Sequence, residues 1–208
     1  MMRTSMNRTK IKICGIKTQQ DIVIMNRTKP DYAGFVFFEK SKRHLTYDQA
    51  ADLLANLDHG ITPVAVCVSP DSARIEAIVR LGFPIIQIHG NLTNEMIEQW
   101  PNQIWQAVNV DGEDLPKIMS HPKIVGYVVD GAKYGSGQSF AWSKELAKAC
   151  ASLPHLILAG GLNAENVCEG IQLFQPDIVD VSSGVELPEM GKDAAKVEAF
   201  IRAVREGA

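Results

Sequence analysis

Eight short runs of β-branched and apolar residues alternate with longer amphipathic stretches along the 208 residues of this chain. Runs of the first kind are typical of buried strands, and stretches of the second kind are typical of helices. Parallel strands need a crossover of about a dozen or more residues, and the spacing of the runs allows it. The predicted strands lie at 10–14, 32–37, 63–68, 85–89, 103–108, 124–129, 155–159 and 178–181, and the predicted helices at 19–27, 47–57, 72–81, 94–100, 115–119, 143–151, 164–172 and 194–206.

Eight strand–helix units that close on themselves form a (β/α)8 barrel, an α/β fold for which 208 residues is near the short end of the usual range. An open doubly wound sheet is the alternative. The even number of units and the lack of a Gly-x-Gly-x-x-Gly motif after the first strand argue against it. We predict a single TIM barrel domain at 10–208, preceded by a disordered extension at 1–9. The helix at 115–119 is the least regular, because Pro116 and the acidic segment 111–114 shorten it.

The charge and hydropathy of the chain limit the classes of partner that we expect for it. With 21 basic and 24 acidic side chains the net charge is −3, which gives no electrostatic reason to expect nucleic acid or an anionic membrane as a partner. No apolar run approaches the ~20 residues that span a bilayer. Residues 1–10 are polar and lack the apolar centre of a signal peptide. We therefore expect a cytoplasmic protein.

Four cysteines lie far apart in the sequence, without a Cys-x-x-Cys pair, which argues against a metal site or a disulfide framework. Cys67, Cys150 and Cys168 fall within apolar or helical patterns and are interpreted as small buried hydrophobes. Cys14 differs, because it ends the first apolar run directly before Gly15. A buried, inert role is the usual outcome for a lone cysteine, so a chemical role for Cys14 needs independent support.

Several other predicted strands also end in polar residues. In a (β/α)8 barrel the carboxyl ends of the strands meet at the active-site mouth. Asp130 follows the sixth run, where a carboxylate can serve as a general acid or base, or can simply cap a loop. The segment 132–140 that follows is long, contains Tyr134-Gly135-Ser136-Gly137-Gln138, and is a candidate lid. His89 ends the fourth run, where a structural histidine and a ligand contact are both open.

Glycine-rich loops follow the seventh and eighth runs, as Gly160-Gly161 and Ser182-Ser183-Gly184. Glycines let backbone N–H groups approach a ligand, and the next helix N-terminus adds partial positive charge. Barrels commonly hold a phosphate between these two loops. We therefore favour phosphate binding over simple turns.

A basic segment, Lys40 to Arg43, follows the second run. Lys40 and Lys42 are interpreted as solvated loop residues. The planar fork of Arg43 can bind a carboxylate through two hydrogen bonds. Spacing alone does not decide between that contact and a solvated loop.

Six sequence motifs, in the same order along the chain, resemble those of the phosphoribosylanthranilate isomerase family of the tryptophan pathway over residues 10–206. They are Lys12-Ile13-Cys14-Gly15-Ile16, the segment from Gly34 to Arg43, Gln87-Ile88-His89-Gly90, the segment 135–140, the segment from Leu158 to Val167, and Asp180-Val181-Ser182-Ser183-Gly184-Val185-Glu186.

The resemblance implies an Amadori rearrangement of N-(5′-phosphoribosyl)anthranilate, a small phosphorylated substrate. In the family the cysteine after strand one is the general base and the aspartate after strand six is the general acid, which correspond to Cys14 and Asp130. Arg43 matches the arginine that contacts the anthranilate carboxylate. The phosphate loops match Gly161, Ser183 and their neighbours. His89 occupies a motif position without a definite role.

The chemistry that the resemblance implies sets demands on two pKa values. Asp130 must start protonated, which requires a pKa above its reference of ~4. Cys14 must become a thiolate, which requires a pKa below the free value of ~8.5. We expect helix N-termini and the cationic Schiff base to lower it. No metal or organic cofactor is needed, because the substrate nitrogen accepts the electrons.

The chain departs from the family pattern in three loops. Ala141 stands where the family usually has aspartate, although Ser143 can still cap the next helix. The third strand ends in Val-Ser, and the glycine of loop 187–193 is displaced. A histidine-pathway isomerase, with aspartate in place of Cys14 and a phosphate loop after strands three and four, is the enzyme alternative. A sugar-phosphate-binding barrel without catalysis is the other. Family members occur as monomers and as homodimers, and both remain open here.

Overall fold

Eight parallel strands form a closed barrel in the computed structural model, which describes residues 8–110, 115–116, 118–131, 142–189 and 191–207. Each strand pairs with the next, and the last pairs with the first, so the predicted TIM barrel is confirmed. The strands are β1 (Lys10–Cys14), β2 (Tyr32–Phe37), β3 (Thr62–Val68), β4 (Ile85–His89), β5 (Gln103–Val110), β6 (Ile124–Gly131), β7 (Leu156–Leu158) and β8 (Ile178–Val181).

Seven α-helices surround the barrel within the described residues. Side-chain oxygens of Thr18, Thr46, Asp71, Thr93 and Ser143 accept hydrogen bonds from backbone amides in the first turns of five of them. These caps fix where the helices begin, since the first amides of a helix have no partner within it. The helices are α1 (Gln19–Thr28), α2 (Tyr47–Leu54), α3 (Ser72–Arg80), α4 (Asn94–Gln99), α5 (Lys144–Cys150), α6 (Val167–Phe174) and α7 (Ala194–Gly207).

The predicted helix at 115–119 is wrong, because its described residues are not helical. Pro116 has no N–H to donate. Side chains from two strands bind the backbone of Met119 instead: its N–H donates to Oε1 of Gln106 (3.1 Å), and its carbonyl accepts from the hydroxyl of Tyr127 (2.6 Å). Apolar side chains of the segment still pack against the core, so the segment covers the barrel without a helix.

Helix α6 begins at Val167, later than the predicted 164. Asn163 and Asn166 form a local turn that competes with the helix: Oδ1 of Asn166 accepts from the Asn163 amide, and Oδ1 of Asn163 accepts from the amides of Glu165 and Asn166. Asparagine side chains favour such turns over the first turn of a helix. The loop after β7 is thereby held in a fixed shape.

Alternation along the strands produces two layers of side chains. One face of each strand packs against the helices, with Ile11 and Ile13 of β1 in that outer layer. The other face fills the barrel interior, where Cys14 clusters with apolar residues of other strands. The interior members are Cys14, Val36, Val64, Val66, Ile85, Trp105, Val128, Ile157, Ala159 and Ile178.

The N-terminal segment enters the fold at residue 9, where the hydroxyl of Thr9 donates to the carbonyl of Pro176 (3.3 Å). Residues 1–7 of the predicted extension lie outside the described residues. Among the helices that the structure describes, none has both the length and the apolar character needed to cross a membrane.

Candidate active site

A cavity of about 310 Å³ opens at the carboxyl ends of the strands. Eight of the nine candidate residues line it, as the barrel rule predicts. The ends of β1, β4 and β6 and the loops after β2, β7 and β8 contribute them. They are Cys14, Arg43, His89, Asp130, Gly160, Gly161, Ser182 and Ser183.

Gly184 is not among the lining residues. A Cβ there would overlap the carbonyl oxygen of Leu162, so this glycine lets the loops after β7 and β8 pack against each other. Gly160 and Gly161 have φ angles of 84° and 68°, a left-handed conformation that favours glycine. The two glycine-bearing loops are therefore adjacent on one side of the cavity, although Gly184 itself serves their packing.

Cys14 ends β1 and is 9% exposed. The hydroxyl of Ser182 donates to its carbonyl (3.0 Å). Its sulfur lies over Gly34 of β2, where a Cβ would come within 2.8 Å of it. Burial raises the pKa of the Cys14 thiol, although the charges of Lys12 and Lys192 act to lower it. The expected lowering is thus wrong for the ligand-free pocket, because removal of water from the sulfur outweighs the nearby cations.

A buried ion pair lies below Cys14 in the barrel. Nζ of Lys12 donates to Oδ2 of Asp180 at 2.5 Å, and the two residues face each other in the β1–β8 register. Lys12 is fully buried and Asp180 is 7% exposed. We did not predict this pair, yet alternation in Lys10–Cys14 places Lys12 on the same strand face as Cys14. That alternation is the signal that could have found it.

Arg43 is held by a carboxylate of the protein itself. Its Nε and Nη2 donate to the two carboxylate oxygens of Glu186 at 2.5 and 3.0 Å. Nζ of Lys192 and Nζ of Lys42 reach the same carboxylate at 3.1 and 3.0 Å. Burial would raise the pKa of Glu186, but its bonds to Arg43 and the charges of Lys192 and Lys42 lower it to about 2. This role of Glu186 was not predicted from the sequence, since Glu186 lies in a loop far from Arg43 in the chain.

The two lysines beside Arg43 were predicted to be solvated. Lys40 and Lys42 are exposed, and both also line the mouth of the cavity. In its ion pair with Glu186 the side chain of Lys42 remains largely exposed, and a pair with such an exposed partner contributes little to stability.

Asp130 is partly buried near the end of β6, where it faces Asn109 of β5 in the register. Strands β7 and β8 lie between β6 and β1, so Asp130 and Cys14 occupy different walls of the cavity with the glycine-rich loops between them. The candidate lid at 132–140 lies outside the described residues. The predicted cap by Ser143 is confirmed, since its hydroxyl accepts from the Leu146 amide at 3.0 Å.

His89 is a buried residue of the cavity wall, with Nε2 2.9 Å from Nε2 of Gln87. Burial, and then the charge of Lys12, lower the pKa of His89 to about 4. The imidazole is therefore neutral at physiological pH. A neutral ring can contact a ligand without carrying charge into the site.

The titration of His89 gives a testable expectation. Its NMR signals will stay constant between about pH 5.5 and 8 and will shift only near pH 4. Between pH 4 and the ordinary pKa of ~6.5, the unfolded chain binds the proton more tightly, so the free energy of unfolding falls as the pH is lowered. The comparison of the native chain with His89→Gln assigns the signal, and an imidazole that titrates near pH 6.5 would contradict the burial argument.

The loops after β3 and β4 contact each other. The Asn91 amide donates to the hydroxyl of Ser69 at 2.9 Å, and the Ser69 amide donates to the carbonyl of His89 at 2.8 Å. Within the described ranges, no group of three or more His, Cys, Asp or Glu side chains is arranged to hold a metal ion. All four cysteines are free thiols.

Comparison with known proteins gives one consistent family. A model of N-(5′-phosphoribosyl)anthranilate isomerase matches residues 11–203. The N-(5′-phosphoribosyl)anthranilate isomerase of Clostridium acetobutylicum is 39% identical over 203 residues, which cover 94% of this chain and 98% of the relative. The crystal structure of the phosphoribosyl anthranilate isomerase of Thermotoga maritima superposes with a TM-score of 0.83 at 26% identity, covering 95% and 99% of the two chains.

A further solved phosphoribosyl anthranilate isomerase, in complex with reduced 1-(o-carboxyphenylamino)-1-deoxyribulose 5-phosphate, has a TM-score of 0.80 at 27% identity. It matches over 95% of this chain and 99% of its own. Both the extent and the agreement of these matches identify the family, and the chain belongs to the N-(5′-phosphoribosyl)anthranilate isomerases.

Proposed function

We propose that this protein converts N-(5′-phosphoribosyl)anthranilate to 1-(2-carboxyphenylamino)-1-deoxyribulose 5-phosphate in tryptophan biosynthesis. The observation that carries the proposal is the cavity itself: in a barrel of this family it gathers Cys14, Asp130, Arg43 and two glycine-bearing loops at one mouth. A solved relative binds a reduced form of the same product, which supports the choice of ligand.

The two ends of the substrate differ in chemistry, and so do the two sides of the cavity. We assign the phosphate to the loops that carry Gly160, Gly161, Ser182 and Ser183, where backbone N–H groups and hydroxyls are available donors. The anthranilate carboxylate is assigned to Arg43. A guanidinium has five N–H donors, and Glu186 takes two of them, so donors remain for a second carboxylate.

Acid catalysis opens the sugar. Asp130, protonated, gives its proton to the ring oxygen as the bond between that oxygen and C1′ breaks, and the anthranilate nitrogen supplies the electron pair. The product of this step is an open-chain Schiff base with positive charge on nitrogen. The nitrogen acts as the electron sink, so the proposed steps need no metal or organic cofactor.

Base catalysis then completes the isomerisation. The Cys14 thiolate removes the C2′ proton, and the electron pair moves into the C1′–C2′ bond and neutralises the nitrogen. The resulting enol tautomerises to the ketone at C2′. The pKa of Cys14 is raised in the empty pocket, so the positive charge of the Schiff base assists thiolate formation when the substrate is bound.

The direct test is turnover by the native chain. Freshly prepared phosphoribosylanthranilate is mixed with the protein, and loss of its anthranilate fluorescence is followed. We expect the reaction to exceed the spontaneous background by about 10⁶-fold or more at saturation, a common acceleration for enzymes. A rate equal to the background, with the reduced product analogue still bound in calorimetry, would instead indicate a sugar-phosphate-binding barrel without catalysis.

A further inference from the structure

The barrel interior below the reacting groups contains charges that the proposed mechanism does not use. Lys12 is fully buried one strand-face position below Cys14, and its ammonium bonds to Asp180. Most of the surrounding interior is apolar, as Val36, Val66 and Val128 illustrate. A buried ion pair often stabilises a fold no more than well-packed apolar residues of the same size. Its place directly beneath Cys14 therefore calls for another explanation.

Lys12 shares one face of β1 with Cys14 and is bonded to the carboxylate of Asp180. Lys12 and Cys14 are two positions apart on β1, so both side chains point into the barrel. Each of the two groups favours the charged form of the other. Although burial acts to lower the pKa of Lys12, Asp180 and then Cys14 outweigh it and raise that pKa, so the ammonium persists.

We propose that Lys12 is a positioning residue that pairs with the Cys14 thiolate and makes this charged form accessible beneath the substrate, while Asp180 holds the ammonium in place. The inference rests on the proposed role of Cys14 as the base. Lys12 acts through the sulfur and touches no reacting atom, and Asp180 opposes it, because its negative charge disfavours the thiolate.

Other charges around Cys14 are accounted for. Lys12 of β1 and Asp180 of β8 face the Cys14 thiol. The loop after β8 contributes Lys192, whose Nζ bonds to Glu186 at 3.1 Å and whose charge also favours the thiolate. Among the residues that the structure describes, the remaining charged or titratable side chains that line the cavity are Lys40, Lys42, Arg43, His89 and Asp130.

We expect substitutions of the two members of the ion pair to shift the midpoint of Cys14 ionisation in opposite directions. In Asp180→Asn the midpoint of Cys14 ionisation moves to lower pH, because a negative charge is removed. In Lys12→Met it moves to higher pH. A general loosening of the barrel would move both midpoints in the same direction, so the pair of signs separates an electrostatic role from a structural one.

Lys12→Met leaves the buried carboxylate of Asp180 without its cation, so this variant has the greatest risk of a folding defect. The double variant Lys12→Met/Asp180→Asn removes both charges, and its comparison with Asp180→Asn isolates the ammonium. We expect the Cys14 midpoint to be higher in the double variant by about 1 to 3 units, the usual effect of one nearby charge. Lys144→Met, at an exposed position of α5, is the control and leaves the midpoint unchanged.

The measurement is the rate of alkylation of Cys14 by iodoacetamide over a range of pH, read by mass spectrometry of the peptide that contains Cys14. The acid limb of kcat/KM against pH is expected to move by the same amount. A midpoint that differs by less than a few tenths of a unit between the double variant and Asp180→Asn would overturn the proposal for Lys12. If the midpoint moves but Cys14→Ser retains full activity, the Lys12–Cys14 pairing stands and the base role of Cys14 fails.

Discussion

Cys14→Ser will lower kcat by at least ~100-fold, the usual contribution of a positioned acid or base. A serine hydroxyl fits the space of the thiol but is far less acidic, so it does not supply the anion that removes the C2′ proton. The substitution leaves the loops of Gly160, Gly161 and Ser183 unchanged. KM and the affinity for the reduced product analogue are therefore expected to stay within a few-fold of the native values.

The control for this prediction is Cys168→Ser. The sulfur of Cys168 donates to the carbonyl of Ala203 outside the cavity, and a hydroxyl can make the same bond. Its kcat should match that of the native chain. A Cys14→Ser enzyme within about tenfold of native kcat would remove Cys14 from the base role, since a positioned base contributes more than that.

The pH dependence of the native enzyme is a second test of the role of the Cys14 thiol. Burial raises the pKa of Cys14 in the ligand-free protein, so the thiolate is the minor form at neutral pH. Accordingly kcat/KM, which reports the free enzyme, will increase with pH on its acid limb through the neutral range. In Cys14→Ser this limb should be lost from the residual activity.

Asp130→Asn is expected to lower kcat by a similar factor of ~100 or more. Asparagine keeps the size of the side chain and can donate a hydrogen bond, but it has no proton to transfer to the ring oxygen. The loss should fall on kcat, with little change in binding of the reduced analogue, because that analogue is already open-chain and needs no acid.

Asp71→Asn is the matched control for Asp130→Asn. Asp71 caps α3 after β3, at the same end of the barrel but outside the cavity lining, and asparagine caps a helix about as well as aspartate. Both substitutions replace a carboxyl group at this end of the barrel with an amide of the same size. If Asp71→Asn loses as much activity as Asp130→Asn, the loss does not depend on the position of the carboxyl group in the cavity and Asp130 is not the acid.

The ends of the apolar runs allowed the barrel and most of its mouth to be predicted. Three signals were enough to predict that Cys14, His89, Asp130 and the loops of Gly161 and Ser183 share one cavity. They are the alternation with a period of two, the polar residue at the end of a run, and the location of barrel active sites at the carboxyl ends of the strands. These are local signals that each strand carries independently of its neighbours. Their proposed chemical roles remain predictions.

Features that depend on pairing between distant strands were not predictable in the same way. The contact of Lys12 with Asp180 follows from the β1–β8 register, and that of Arg43 with Glu186 follows from how two loops meet. The prediction of a helix at 115–119 was wrong for a related reason. The backbone of this segment is bound by the side chains of Gln106 and Tyr127, and local helix propensity does not reveal such contacts.

The ion pair of Lys12 with Asp180 also bears on the order in which this chain can fold during synthesis. The two residues are 168 positions apart, so Lys12 leaves the ribosome long before its carboxylate partner exists. A partial barrel that lacks β8 would bury an ammonium without a counter-charge, which is strongly unfavourable. The interior can therefore close only after β8 has been made, and the loop that follows β8 then completes the cavity with Ser182 and Ser183.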